Sequence, residues 1–154
     1  MGHDAVEIDF VMPWVDGSDP AWREEFLKYR ALQAPQGEPA CDTGTAAGAV
    51  DASEERYRDW DTLRYWFRGV ERFAPWVNRI HFITWGHLPA WLDTAHPKLH
   101  VVRHADYIPS PYLPTFNSCP IELNMHRIEG LAEHFVYFND DTFLCRPVGP
   151  ERFF

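Results

Sequence analysis

The chain has 154 residues and a formal net charge of −9 at pH 7, because 23 acidic residues outnumber 14 basic ones. Hydrophobic residues make up 45% and charged residues 24%, proportions that exclude a disordered, collagen-like or coiled-coil chain and predict one domain with its own core. The acidic balance argues against nucleic acid as a partner. An acidic protein that binds an anionic ligand is expected to do so through a divalent cation.

The sequence predicts a protein that neither crosses a membrane nor is exported. No apolar run approaches the roughly 18 residues that span a bilayer, and the N-terminus lacks the pattern of a signal peptide. Cys41, Cys119 and Cys145 are far apart without C-x-x-C spacing, so we expect neither a disulfide framework nor a structural zinc site. A reducing compartment, the cytoplasm, fits best.

Strands and helices alternate along the chain. Residues 7–12 have strand propensity, and Asp19 followed by Pro20 predicts the start of a helix that runs to about Leu32. Residues 34–53 are small and polar, which indicates a flexible insertion. A second helix follows, with apolar residues at helical spacing from Leu63 to Phe73.

The second half of the chain predicts three more strands, at residues 79–84, 99–103 and 135–138. Four prolines between residues 105 and 120 indicate a rigid loop. The spacing of Ile121, Met125, Ile128 and Ala132 predicts a helix of about three turns. Together these elements indicate a single α/β domain over residues 1–154 with a mostly parallel sheet, in which ligands bind at the carboxyl ends of the strands.

The acidic run Asn139-Asp140-Asp141 follows the last predicted strand directly. Two adjacent carboxylates at this place can hold Mg²⁺ or Mn²⁺ against a diphosphate. The alternative is an Asx turn with solvated acids. Asp16 and Asp19 also allow two interpretations. They fit a turn and a helix cap, and they equally fit a ligand-binding site.

Other charged side chains allow two interpretations each. On the helix predicted from Ile121, the residues Glu122, His126 and Glu129 would share one polar face, as a ligand set or as solvated surface. Three arginines could either contact phosphate or be solvated surface residues without a ligand: Arg58, Arg64 and Arg68.

Two long blocks of the sequence resemble the Stealth family of capsular and exopolysaccharide phosphotransferases. The first is IDFVMPWVDGSDP at residues 8–20. The second extends over residues 56–144 and includes RDW at 58–60, FAPWV at 73–77, TWGHLP at 84–89, LPTFNS at 113–118, HRIEGL at 126–131 and YFNDD at 137–141. The animal N-acetylglucosamine-1-phosphotransferase carries the same blocks.

The resemblance implies a Rossmann-like, GT-A-like nucleotide-sugar transferase core. It implies transfer of a sugar 1-phosphate from a UDP-sugar donor to a hydroxyl of a glycan acceptor in capsule or exopolysaccharide synthesis, with release of UMP. Asp140 and Asp141 would hold Mg²⁺ or Mn²⁺ and His126 would act as general base. The substrate contacts would come from residues at several strand ends: Trp14, Val15, Asp16, Gly17, Asp19, Thr84, Gly86, Arg127 and Asn139.

Members of this family are about twice as long and carry two further signature blocks, which are absent from residues 1–154. A second hypothesis is therefore a catalytically incomplete sugar-nucleotide-binding or assembly module, completed by a partner chain or by self-association. A third is an ordinary glycosyltransferase, which would attack the anomeric carbon and release UDP.

Overall fold

The computed structural model describes residues 6–33 and 57–154. The predicted insertion at residues 34–53 lies outside the described residues. The chain divides into two compact units, one formed by Met1–Trp14 with Trp60–Phe154 and the other by Val15–Asp59. That residues 1–154 are a single domain stays a prediction.

The first unit is built on a four-stranded sheet. Its strands are β1 (Ile8–Pro13), β2 (Ile80–Thr84), β3 (Leu99–Arg103) and β4 (His134–Tyr137). All neighbouring pairs are parallel, in the order β3-β2-β1-β4. The predicted α/β class with a parallel sheet is confirmed, and the strand order is that of the first part of a Rossmann-like fold.

Four α-helices are present in the described residues: α1 (Pro20–Gln33), α2 (Leu63–Phe73), α3 (His104–Tyr107) and α4 (Ser118–Leu123). Three 3₁₀ turns accompany them, at Ser110–Tyr112, Met125–Arg127 and Pro150–Arg152. The predicted helices ending near Leu32 and Phe73 are confirmed as α1 and α2. Helix α2 ends before Pro75, which cannot continue a helix.

Both faces of the sheet are covered by apolar side chains, because parallel strands alternate their side chains between two buried faces. One face is built from buried residues of β1, β2 and α2 with their flanking loops: Phe10, Met12, Trp14, Leu63, Trp66, Val70, Ala74, Val77, Ile80, Phe82 and Phe138. The other contains Val11, Ile83, Val102, Tyr107, Ile108, Met125 and Ile128.

A buried polar network ties the amino-terminal half of the sheet together. The Asp9 carboxylate accepts hydrogen bonds from Asn78 Nδ2 at 2.8 Å and from the backbone N–H of Ala132 at 2.9 Å, and lies 2.9 Å from His81 Nε2. Burial lowers the pKa of His81, so its ring is neutral and donates from Nε2 to Asp9. Its Nδ1 then accepts from His100 Nδ1 at 3.0 Å.

The second unit is described through its first loop, α1 and residues 57–59. The Asp19 carboxylate accepts from the backbone N–H of Trp22 at 2.8 Å, which confirms the predicted cap of α1. Trp22 and Phe26 are buried, with ring centroids 5.0 Å apart, and Tyr57 packs on both. Gly17 donates its N–H to Tyr57 O at 2.7 Å.

One prediction in the second half is wrong. The predicted helix over residues 121–132 is interrupted, because α4 ends at Leu123 and Met125–Arg127 is a 3₁₀ turn. Asn124 lies between them and its side chain donates to Pro120 O at 2.8 Å, while Gly130 has a φ of +73° that ends helical geometry. Residues 105–120 contain no continuous helix and no strand, as their prolines predict; they include the end of α3, the turn Ser110–Tyr112 and the start of α4.

Candidate functional site

The strand order defines where a ligand would bind. After β3 the chain returns to the other side of β1 and forms β4, so the order reverses between β1 and β4. In open parallel sheets, ligands bind outside the carboxyl ends of the strands at such a reversal. Trp14 follows β1 at this edge, and Asn139, Asp140 and Asp141 follow β4, with Phe138 N donating to Val11 O at 2.9 Å.

Trp14 is held firmly at the end of β1. Its N–H donates to Ile83 O at 2.9 Å, and its side chain is only 6% exposed. The ring centroid lies 5.7 Å from that of Phe82 and 5.1 Å from that of His87. The indole Nε1 is buried and has no hydrogen-bond partner among the described residues.

The loop after β2 is shaped by Thr84. Its hydroxyl donates to His87 O at 2.6 Å and accepts from Gly86 N at 3.1 Å. Thr84 is fully buried, so its hydroxyl organises this loop. Gly86 has a φ of +154°, a conformation that glycine adopts most readily. The role predicted for Thr84 and Gly86 in substrate binding stays a prediction.

The end of β4 carries a polar cluster on the surface. The Tyr137 hydroxyl lies 2.6 Å from Asn139 Oδ1 and 3.1 Å from Glu122 Oε1. A phenol has one proton, so it can donate to only one of these oxygens at a time. Burial raises the pKa of Tyr137, and the carboxylates of Glu122, Asp140 and Asp141 raise it further. Tyr137 is therefore a neutral donor beside an acidic turn.

Asp140 and Asp141 are both exposed in the turn after β4. Asp141 Oδ1 accepts from the Thr142 hydroxyl at 3.3 Å, and the turn is closed by Thr142 N donating to Asn139 O at 3.1 Å. Within residues 6–33 and 57–154, no group of three or more His, Cys, Asp or Glu side chains is arranged to hold a metal ion. Two carboxylates nevertheless fit Mg²⁺, which is often held by one or two carboxylates together with substrate phosphates.

The predicted residues of the first loop belong to the second unit. Val15 is partly buried there. Asp16 Oδ1 accepts from the N–H and the hydroxyl of Ser18 at 2.8 and 2.6 Å, Gly17 contacts Tyr57, and Asp19 caps α1. The two carboxylates therefore have the structural roles that the sequence offered as alternatives; a contact with the nucleotide stays a prediction.

His126 and Arg127 lie on the exposed 3₁₀ turn Met125–Arg127. Since this turn is not part of a longer helix, the predicted shared helical face of Glu122, His126 and Glu129 does not form, and Glu122 instead contacts Tyr137. Arg64 lies over the Trp91 ring, with its Cζ 5.1 Å from the centroid.

Arg58 lines a cavity of about 470 Å³ within the second unit, together with Arg23 and Arg30. Arg68 is exposed on α2. Phosphate binding by Arg58, Arg64 and Arg68 stays a prediction.

The chain belongs to the Stealth family. Residues 6–32 match Stealth protein CR1, conserved region 1, and residues 56–154 match Stealth protein CR2, conserved region 2. These two regions contain both blocks on which the resemblance was based, so the family assignment is confirmed.

The chain is similar to several streptococcal proteins. It is 56% identical over 137 residues to the capsular polysaccharide phosphotransferase WcwK of Streptococcus pneumoniae, covering 89% of this chain and 38% of that protein. It is 47% identical over 154 residues to the receptor polysaccharide phosphotransferase WefC of Streptococcus oralis, covering 96% and 41%. For the capsular polysaccharide phosphotransferase CpsJ of Streptococcus thermophilus, the identity is 47% over 150 residues, covering 96% and 57%.

The chain thus spans between 38% and 57% of the length of these relatives. None of the helices in the described part of the chain is long and apolar enough to span a bilayer.

Proposed function

We propose that this chain belongs to a polysaccharide phosphotransferase that moves a sugar 1-phosphate from a UDP-sugar to a hydroxyl of a glycan acceptor and releases UMP. The observation that carries the proposal is the acidic turn Asn139-Asp140-Asp141 beside the reversal of strand order. The family and the names of the relatives, capsular and receptor polysaccharide phosphotransferases, support the phosphotransfer chemistry.

The reaction is a displacement at phosphorus. The acceptor oxygen attacks the phosphorus atom bonded to the sugar, and the bond from that phosphorus to the bridging oxygen of the diphosphate breaks. The acceptor loses its proton to a base, for which His126 is the candidate, and UMP departs with the bridging oxygen. Mg²⁺ or Mn²⁺, when bound to Asp140 and Asp141, would neutralise the charge that builds up on the diphosphate.

The residues near the turn have complementary tasks in this proposal. Tyr137 is neutral and fixes Asn139 by a hydrogen bond, so the amide has a defined position beside the carboxylates. Asp140 and Asp141 face solvent, which leaves them accessible to a diphosphate. Away from this turn, Arg127 is exposed on the 3₁₀ turn Met125–Arg127 and is a separate candidate contact for donor or acceptor.

Calorimetric titration of UDP-N-acetylglucosamine, with Mn²⁺ and then with a chelator, tests the donor site without requiring turnover. We expect binding that depends on the metal and that Asp140→Asn abolishes. Asp93→Asn is the matched control, because it removes the same charge from an exposed carboxylate in the loop before β3. Equal affinity of wild type and Asp140→Asn would exclude a metal at Asp140.

The nucleotide released in the presence of a polysaccharide acceptor separates two kinds of transferase. UMP is expected for sugar-1-phosphate transfer, whereas UDP would identify an ordinary glycosyltransferase.

The alternative to this proposal is the second hypothesis of the sequence analysis. It is a sugar-nucleotide-binding module whose catalytic site is completed by a second polypeptide or by self-association. Metal-dependent binding without release of UMP or UDP would support this candidate. Light scattering of the purified chain would then show whether it self-associates.

A further inference from the structure

An apolar cavity lies at the opposite edge of the sheet from the acidic turn. It has a volume of about 420 Å³, and the residues that line it belong to the first unit. Ile80 and Leu99, the first residues of β2 and β3, are among them. The cavity is therefore at the amino ends of these strands, whereas Asn139-Asp140-Asp141 follows the carboxyl end of β4. Its volume is that of a natural ligand pocket, and it is separate from the candidate site.

The cavity follows from the way in which β2 is joined to β3. Parallel neighbours are usually connected by an α-helix that packs on the sheet, but residues 85–98 form turns and no helix. Trp91 and Leu92 pack on the core from this connection, and both are only half-buried. An apolar opening thus remains beside α2, where a crossover helix would cover the sheet.

The walls of the cavity are hydrophobic. Phe67 and Val70 line it from α2, and Ala74 lines it directly after the end of that helix. The Trp91 ring packs edge to face on Phe67, with centroids 6.1 Å apart. Such walls favour an apolar ligand, because burial of apolar surface drives association.

Two carboxylates and one ammonium group line the cavity, those of Glu71, Asp93 and Lys98. The Lys98 ammonium donates to Pro75 O at 2.8 Å and to Val77 O at 2.7 Å, so it is already bound within the protein. Glu71 and Asp93 are exposed, and the whole chain has a net charge of −9. These charges repel an anionic lipid and attract a cationic partner.

We propose that this cavity is a docking site for a basic amphipathic helix of a partner protein. Large apolar side chains of that helix would occupy the cavity, and lysine or arginine residues beside them would face Glu71 and Asp93. A helix fits because the connection from β2 to β3 leaves this part of the sheet without one. Amphipathic helices bind grooves through apolar side chains at i, i+3 or i+4 and i+7. The inference does not depend on the proposed function, because the docked helix leaves the carboxyl edge of the sheet open.

A synthetic peptide tests the proposal by fluorescence anisotropy with the purified chain. The probe is a fluorescein-labelled helical peptide of about five turns, with leucines at i, i+3, i+4 and i+7 and lysines on the other face. One control peptide has the same composition with the leucines scrambled, and the other has glutamates in place of the lysines. We expect the probe to bind at least about tenfold more tightly than either control.

Two pairs of variants locate the binding. Leu92→Asn removes an apolar side chain from the cavity and should weaken binding about five- to tenfold, whereas Leu123→Asn, at an exposed leucine of α4, should leave it unchanged. Glu71→Lys reverses a charge at the cavity and should weaken binding about three- to fivefold. Glu133→Lys makes the same change at an exposed position before β4 and should weaken binding by about twofold at most.

A spectroscopic measurement on wild type covers the case in which Leu92→Asn fails to fold. In ¹⁵N-labelled protein, the probe should shift the Trp91 indole N–H signal. The Trp14 signal should stay in place, because Trp14 is buried at the other edge of the sheet. An unchanged Trp91 signal at saturating probe would overturn the proposal.

The other occupants of such a cavity give different results. Equal affinity for the scrambled peptide, or equal losses from Glu71→Lys and Glu133→Lys, would mean attraction by net charge alone and would overturn the docking site. Binding of phosphatidylglycerol vesicles that Leu92→Asn weakens would make the occupant a lipid. Dimerisation of the chain in light scattering that Leu92→Asn weakens would make it a second copy. Either of these two results also overturns the proposal.

Discussion

Acidification should destabilise the folded chain through His104, and the size of the effect follows from its environment. His104 is 8% exposed, and burial lowers the pKa of its imidazole from 6.5 to about 4. In the unfolded chain the ring has its ordinary pKa. Between pH 6.5 and 4, the unfolded state therefore binds a proton that the folded state does not bind. Stability must fall with decreasing pH across this window.

The difference between the two pKa values of His104 corresponds to about 3 kcal/mol once the pH reaches 4. The contribution is fully present above pH 6.5 and is lost as the pH falls towards 4. His81, whose pKa burial also lowers, changes stability in the same direction. The change of the free energy of unfolding with pH, measured on wild type alone, therefore does not isolate the contribution of His104.

The assay compares wild type with His104→Phe, a substitution that keeps a ring of similar size and removes the titrating group. Urea unfolding followed by tryptophan fluorescence at pH 7, 6, 5 and 4 gives the free energy of unfolding of each protein. We expect the variant to gain stability relative to wild type as the pH falls, by about 3 kcal/mol in total. Two curves that stay parallel from pH 7 to pH 4 would refute the buried, neutral state of His104.

Substitutions at three further positions test the fold by thermal or urea unfolding. Asp9→Ala removes the carboxylate that binds His81 and two other donors in the core, and should cost at least about 3 kcal/mol; a loss below 1 kcal/mol would contradict the buried network. Gly17→Ala places a Cβ 2.7 Å from Tyr57 O and should cost about 1–3 kcal/mol, whereas unchanged stability would show that the two segments are not in contact. Asp19→Ala removes the cap of α1 and should cost about 1 kcal/mol, while Asp19→Asn, which retains a cap, should restore most of it.

Periodicity and capping account for the elements that the sequence predicted well. The strands β1 to β3 and the helices α1 and α2 lie close to their predicted positions, because their apolar residues recur at the period of the element and Asp19 or a proline marks an end. The segment after Ile121 also had helical spacing, and there the prediction was wrong. Met125 and Ile128 are buried as expected, but the Asn124 side chain bonds to the backbone and Gly130 adopts a positive φ. Apolar spacing reports which residues are buried more reliably than it reports an unbroken helix.

The candidate site was likewise predictable only in part, because some of its features depend on local sequence and others on the tertiary structure. The sequence alone determined the family, the α/β class and the position of Asn139-Asp140-Asp141 after a strand, since these depend on residues that are adjacent or nearly so. The sequence could not identify His104 as a buried residue, because a lone histidine after a strand has no distinctive pattern. It also could not show that the Trp14 indole N–H is buried without a partner among the described residues. Only the tertiary structure decided that β1, β2 and β3 end side by side, and that the indole and imidazole nitrogens there are buried without partners. Burial and hydrogen-bond partners depend on contacts between residues far apart in the chain, and those contacts exist only after the strands have paired.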